Sequence, residues 1–179
     1  MDLSTVPRRS TVQLTIYNSE DLTLVRETRT VTFKKGVNPL QFSWANTLID
    51  PSSVELRFLT SPDKLEVLDT TFPHDKPQML YWNVQSEIDG EATIQITYFT
   101  SGITWKADYI VVADKDEQTM AVDSFVRVFN NSGEEYEDAQ VRRRRRVRVD
   151  RIRVLLRDDR QAQLLRLGIR VLGAQHVER

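Results

Sequence analysis

His74 and Asp75 stand side by side in the loop FPHDKP (72–77). A histidine next to a carboxylate can work as a base with its orienting acid. No nucleophile in a recognisable setting accompanies the pair and no G-x-S-x-G occurs, so a solvated loop histidine is the preferred reading. The chain's other histidine is His176. A second cluster, Glu134, Glu135, Glu137 and Asp138, offers carboxylates for a glycoside hydrolase, which needs two across a cleft, or for a hard cation. Its spacing lacks the alternating ligands of a calcium loop, so a solvated turn is preferred. Asn130-Asn131-Ser132 is formally an N-glycosylation sequon, relevant only in a secreted eukaryotic setting. There is no glycine-rich phosphate loop. With no cysteine there is no disulfide, thiol nucleophile or cysteine-based metal site. No catalytic residue, metal ligand or cofactor is assigned.

The cationic counterpart is a run of five arginines, Arg142, Arg143, Arg144, Arg145 and Arg146. Such a run can neutralise several phosphates and bind RNA or DNA in a salt-dependent way. It lacks the aromatic interleaving of single-strand binders. Residues 141–179 hold thirteen Arg, no Lys and four acids, a net of +9. Residues 1–140 hold twelve basic and twenty-two acidic side chains, a net of −10. Charge opposition of this kind points to a basic arm on an acidic domain. Lysine usage also changes: the first 140 residues use six Lys and six Arg, the remainder Arg alone.

The elements that must position these residues are strands. TVQLTIY (11–17) alternates, with Val12, Leu14 and Ile16 on one face. LTLVRETRTVTF (22–33) carries a shorter alternation at Val31 and Phe33. KKGVNP (34–39) reads as a turn, and PLQFSW alternates Leu40, Phe42 and Trp44. SVELRFL (53–59), KLEVLDTTF, MLYWNV (79–84), EATIQITYF (91–99), ITWKADYIVVA (103–113) and TMAVDSFVRVF (119–129) continue the series. Asp89-Gly90 reads as a hairpin signal. Trp44, Trp82 and Trp105 lie within strand patterns and are expected to pack in the core or on a sheet face.

No segment has a helical period. The expected fold is therefore all-β: an antiparallel β-sandwich-like body of about eight to ten short strands, with an irregular or partly helical Arg-rich C-terminal tail. Residues 1–10 read as a flexible N-terminus, 11–141 as the β-rich domain and 142–179 as the tail. A chain of 179 residues with 40% hydrophobic content can bury a core of its own. No apolar run reaches the roughly 18 residues of a membrane-spanning helix, and the first residues show no signal peptide. Taken literally the chain reads as soluble and cytoplasmic; a missing leader would give the same appearance.

ITYFTSGITWKADYIVV (96–112) followed by FVRVFNNSGEEYEDAQVR (125–142) resembles the mucoidy inhibitor A-like family, whose hallmark domain is a bacterial domain of unknown function. The segments 14–44 and 49–60 look like the same family in a planctomycete-type version. The resemblance covers about residues 10–142. It is carried by S-G-x-x-W-x-A-x-Y, here Ser101, Gly102, Trp105, Ala107 and Tyr109. A second motif, N-N-S-G-x-x-Y-x-x-A, supplies Asn130, Asn131, Ser132, Gly133, Tyr136 and Ala139. These residues are expected to be structural. The resemblance implies a β-rich protein of the bacterial envelope, periplasmic or secreted, and transfers no active-site residue. Family members are typically larger and often carry an export signal, so the domain here is expected to be incomplete at its C-terminal end.

The chain leaves the family pattern after A-Q-V-R (139–142), where relatives continue with something like L-V-V-G-x-x-x-L-V-E. Arg is often CGN and Val is GTN. Shifting the frame by one base from Arg143 to Arg151 allows V-V-G-V-x-E-L-I-E, which accommodates that continuation. Residues from about 142 onward are thus expected to be out-of-frame translation of a GC-rich gene, with a basic arm as the alternative. Resequencing the locus distinguishes the two: an intact family frame supports the shift and a confirmed in-frame arginine tract rejects it.

The function expected is a structural or interaction β module of a bacterial envelope or surface protein, meeting another protein or an envelope polysaccharide. One alternative is nucleic-acid or anionic-surface binding through Arg142–Arg146. Another is a carbohydrate-active enzyme using paired carboxylates.

Overall fold

A computed structural model of the chain describes residues 4–17, 19–75, 78–113, 115, 120–143 and 152–154. Arg144, Arg145, Arg146 and His176 lie outside them. The chain is all-β. Its strands are β1 (Ser4–Thr5), β2 (Thr11–Tyr17), β3 (Leu22–Phe33), β4 (Gly36–Ser43), β5 (Glu55–Phe58) and β6 (Leu65–Thr71). They continue as β7 (Met79–Ser86), β8 (Gly90–Thr100), β9 (Ile103–Ala113), β10 (Met120–Asn130), β11 (Gln140–Arg143) and β12 (Ile152–Val154). A 3₁₀ turn at Pro51–Ser53 precedes β5, capped by the Asp50 side chain. Among the described residues no helix is long and apolar enough to cross a membrane.

The strands form three sheets: β11-β2-β3-β8-β5, β1-β4-β7-β6 and β12-β10-β9. The first two are joined through a shared apolar core, because each buries alternate residues along its strands. Leu14 and Ile16 on β2, Ile94, Ile96 and Tyr98 on β8, and Leu80, Trp82 and Val84 on β7 are all buried. Phe42 on β4 links the sheets: its ring lies 5.9 Å from Tyr98, 5.8 Å from Trp82 and 6.0 Å from Trp44, centroid to centroid. The expected places of the tryptophans hold, with Trp44 and Trp82 in the core and Trp105 half-buried against it.

The long strand pairs are antiparallel, β3 with β8 over eleven residue pairs and β9 with β10 over eleven. Three short pairs are parallel: β1 with β4, β11 with β2, and β10 with β12. Two local expectations change. Asp89-Gly90 does not close a hairpin, because β7 and β8 lie in different sheets. Gly90 bends the chain with φ at 145°, but the apolar face of β8 has to be buried on the opposite layer. Lys34 and Lys35 make the matching crossing from β3 to β4. Gly36–Pro39 belong to β4 rather than to a turn. The two crossings are tied together where Lys35 N donates to Asp89 Oδ1 at 2.9 Å.

The ends of the β body also differ from expectation. Residues 4–10, expected as part of a flexible N-terminus, are anchored. Ser4 and Thr5 pair with Leu40 and Gln41, Val6 is buried, and Ser10 N donates to Thr28 O at 2.7 Å. At the other end β11 runs past Val141, placing Arg142 opposite Thr15 and Arg143 opposite Ile16. Within the expected tail, Ile152–Val154 is also strand.

Candidate functional site

The two motif segments meet at the base of β9 and β10. Asn131 N donates to Gly102 O at 2.7 Å, Gly102 N donates to Asp21 Oδ1 at 3.0 Å, and Ser101 N donates to Leu48 O at 3.3 Å. Asn130 Oδ1 accepts from Ser132 N and Ser132 Oγ, while its Nδ2 donates to Glu134 O at 2.8 Å. The asparagine and serine thus fold the loop 131–139 onto itself, as short polar side chains do in turns. Gly133, at φ 83°, lies so close to Asn46 O that an added Cβ would sit 2.2 Å from it. Trp105 and Ala107 lie on β9 opposite Val128 and Val126, and Tyr109 lies opposite Ser124 with its side chain exposed.

Beneath this loop lies a charge cluster built on Glu27, Arg29 and Arg9, none of which stood out in the sequence, together with Glu134 of the acidic run. Glu27 sits on the inward face of β3, between Val25 and Val31, and is fully buried. Arg29 bonds Glu27 Oε1 through Nε at 2.8 Å and through Nη2 at 2.5 Å. The Nε of Arg9 bonds Glu27 Oε2. Arg9 also reaches Glu134 Oε1 through Nη2 at 2.5 Å and Glu135 O through Nη1 at 2.7 Å, and its guanidinium lies 5.2 Å from the Tyr136 ring centre. Arg29 lies over Phe42 at 5.8 Å. A buried carboxylate needs this kind of pairing, because an isolated charge loses its hydration without recompense.

The electrostatics follow from burial. Burial alone would lower the Arg9 pKa, but the charge of Glu27, with Tyr98 and Glu134, outweighs it and holds the guanidinium above its ordinary value. Burial, then the Glu27 charge, pushes the Tyr98 phenol up. Burial likewise pushes the Tyr136 phenol up to about 12, with Tyr98 and Arg9 opposing it. Both phenols therefore stay neutral at physiological pH.

An open groove of about 430 Å³ lies over the cluster, lined in part by Arg8, Arg9, Arg29, Glu134, Glu135 and Glu137. The three arginines of its lining are balanced by three glutamates, which leaves no net positive charge for a phosphate. Both oxygens of Glu27 are taken by guanidinium N–H groups, so neither is free to take a substrate proton. The arrangement is a clamp: it fixes residue 9, the central strand β3 and the loop 131–139 to one another.

The remaining candidates are scattered. His74 and Asp75 are exposed in the turn after β6, and no hydrogen bond joins them. Glu134 is spent on Arg9 and Glu137 and Asp138 are exposed, so the acidic run is not an isolated solvated turn throughout. Among the described residues no three His, Asp or Glu side chains converge as a metal-binding group. Arg142 is exposed on β11, and its guanidinium reaches the Gln13 carboxamide oxygen at 3.1 and 3.2 Å once that amide is oriented to accept.

One signal for the clamp was present in the sequence. Glu27 and Arg29 occupy the same parity as Val25, Val31 and Phe33, so β3 carries two charges on a face otherwise committed to the core. Arg9 had no such local signal. Comparison with known proteins adds no constraint: no family model matches the chain, and no curated protein matches it.

Proposed function

We propose that this chain is a structural and interaction β module of the mucoidy inhibitor A-like type, working in a bacterial envelope or surface protein through the exposed half of strand β9. The observation that carries the reading is a run of four consecutive apolar residues, Tyr109, Ile110, Val111 and Val112, each between 49% and 60% exposed. Other exposed large apolar residues, such as Leu59 and Phe72, occur singly along the sequence and are ordinary for a protein surface. Consecutive residues of a strand point to opposite faces, so this half of β9 is apolar on both of its faces and exposed on both. In the order of its sheet, β9 is also an edge strand. An apolar edge of this kind favours protein association.

The family part of the proposal is supported by the meeting of the two motif segments in space, through Asn131 and Gly102. Ser101, Gly102 and Asn130 to Gly133 are consumed in turns and close backbone contacts, in keeping with a structural role for that part of the motifs. The envelope setting rests on the resemblance.

Sedimentation velocity tests the proposal. The wild-type chain should associate as its concentration rises, and the Ile110→Asp/Val112→Asp variant should stay monomeric with unchanged circular dichroism. A wild-type chain that stays monomeric and soluble at every concentration would defeat the reading.

A further inference from the structure

Residues 6–10 cross from one layer of the sandwich to the other. Val6 N donates to Gln41 O on β4 at 3.0 Å, and Ser10 N donates to Thr28 O on β3 at 2.7 Å. Between these anchors Arg29 Nη1 donates to Pro7 O at 2.6 Å. The segment is therefore a strap across one end of the sandwich. Its Arg8 and Arg9 line the groove together with Glu134, Glu135 and Glu137 of the motif loop.

We propose that this strap and the loop 131–139 dock and release as one unit, latched by Arg9, and that release opens the groove between them. The guanidinium of Arg9 reaches the loop through two bonds, to Glu134 Oε1 and Glu135 O, 125 and 126 residues away in sequence. Its third contact is to Glu27, which also holds Arg29 and, through it, Pro7 O. One fully buried carboxylate thus stands behind both fastenings of the strap. The strap itself contributes one buried apolar side chain, Val6, and is otherwise held by polar contacts. Segments with few buried apolar contacts open at lower free energy than the core and do so in cooperative units. Coupling between the two segments is reciprocal: docking of the loop favours docking of the strap by the same factor by which the strap favours the loop.

Hydrogen exchange resolved by NMR on the full chain tests this. Glu134→Ala alters a partly exposed loop side chain and leaves the core intact. It should speed exchange at the Val6 and Ser10 amides roughly tenfold, together with the Asn131 and Ser132 amides, and leave Trp82 and Val84 on β7 unchanged. Arg9→Met should act on the same two segments more strongly. Faster exchange in the loop with the strap untouched would overturn the proposal, as would a uniform rise that includes β7. Should Arg9→Met fail to fold, the Glu134→Ala comparison decides alone.

Discussion

The packed sandwich and the β9–β10 ribbon are built from the same kind of strand and meet opposite fates. Along β8 the apolar residues Ala92, Ile94, Ile96 and Tyr98 fall on one parity and are buried, while the intervening positions are half-buried or polar. Along the far half of β9, Tyr109 to Val112 are apolar at every position and none is buried. Alternation tells a strand which side is inside. A continuous apolar run tells it only that both sides need cover. The comparison shows that strand-forming residues do not by themselves bury a strand. The sandwich supplies its own second layer, whereas the described residues leave the outer half of β9 open.

The largest way to disturb this contrast is at the charge cluster beneath the loop 131–139. Glu27→Ala leaves two arginines without their buried partner and should destabilise the fold by about 3–5 kcal/mol, read by urea denaturation. An unchanged midpoint would show that the cluster is not holding the layers. Gly133→Ala comes next. Its φ of 83° and the Asn46 carbonyl leave no room for a methyl group, so a loss of about 1–3 kcal/mol is expected in thermal melts.

A pH effect of intermediate size comes from the raised phenols. Tyr136 ionises near 12 when folded and near 10 when unfolded. Because its folded pKa is raised, its stabilisation is complete below pH 10 and is lost as pH rises from 10 to 12. Ultraviolet tyrosinate titration should show a late step that Tyr136→Phe removes. The smallest stability effect is on the ribbon. Val111→Lys should change the unfolding free energy by less than about 0.5 kcal/mol, since the side chain packs against little. A large loss there would erase the distinction between the regions.

Much of the strand content was legible because period-two alternation is local. TVQLTIY and ITWKADYIVVA mark β2 and β9 at their observed bounds. What the sequence hid was non-local. Asp89-Gly90 announces a bend, but only the burial of β8 decides that the chain changes sheet. The parallel pairing of Gln140–Arg143 with β2 joins segments far apart and has no turn signature. The clamp was half-legible: Glu27 and Arg29 break the core parity of β3, whereas Arg9 meets Glu134 only through the fold. The acidic run after Gly133 looked like a solvated turn, yet Glu134 is the acceptor for Arg9.

The chain has no cysteine, so a single introduced thiol reports on one position without background. Thiol labelling of Val111→Cys beside Val84→Cys, over a range of protein concentrations, tests the central claim most directly. The account predicts that Cys at 84 stays protected throughout. Cys at 111 should label at the rate of a free thiol in dilute solution and become protected as the chain associates. Protection of position 111 in dilute solution, or full labelling at every concentration, would contradict it.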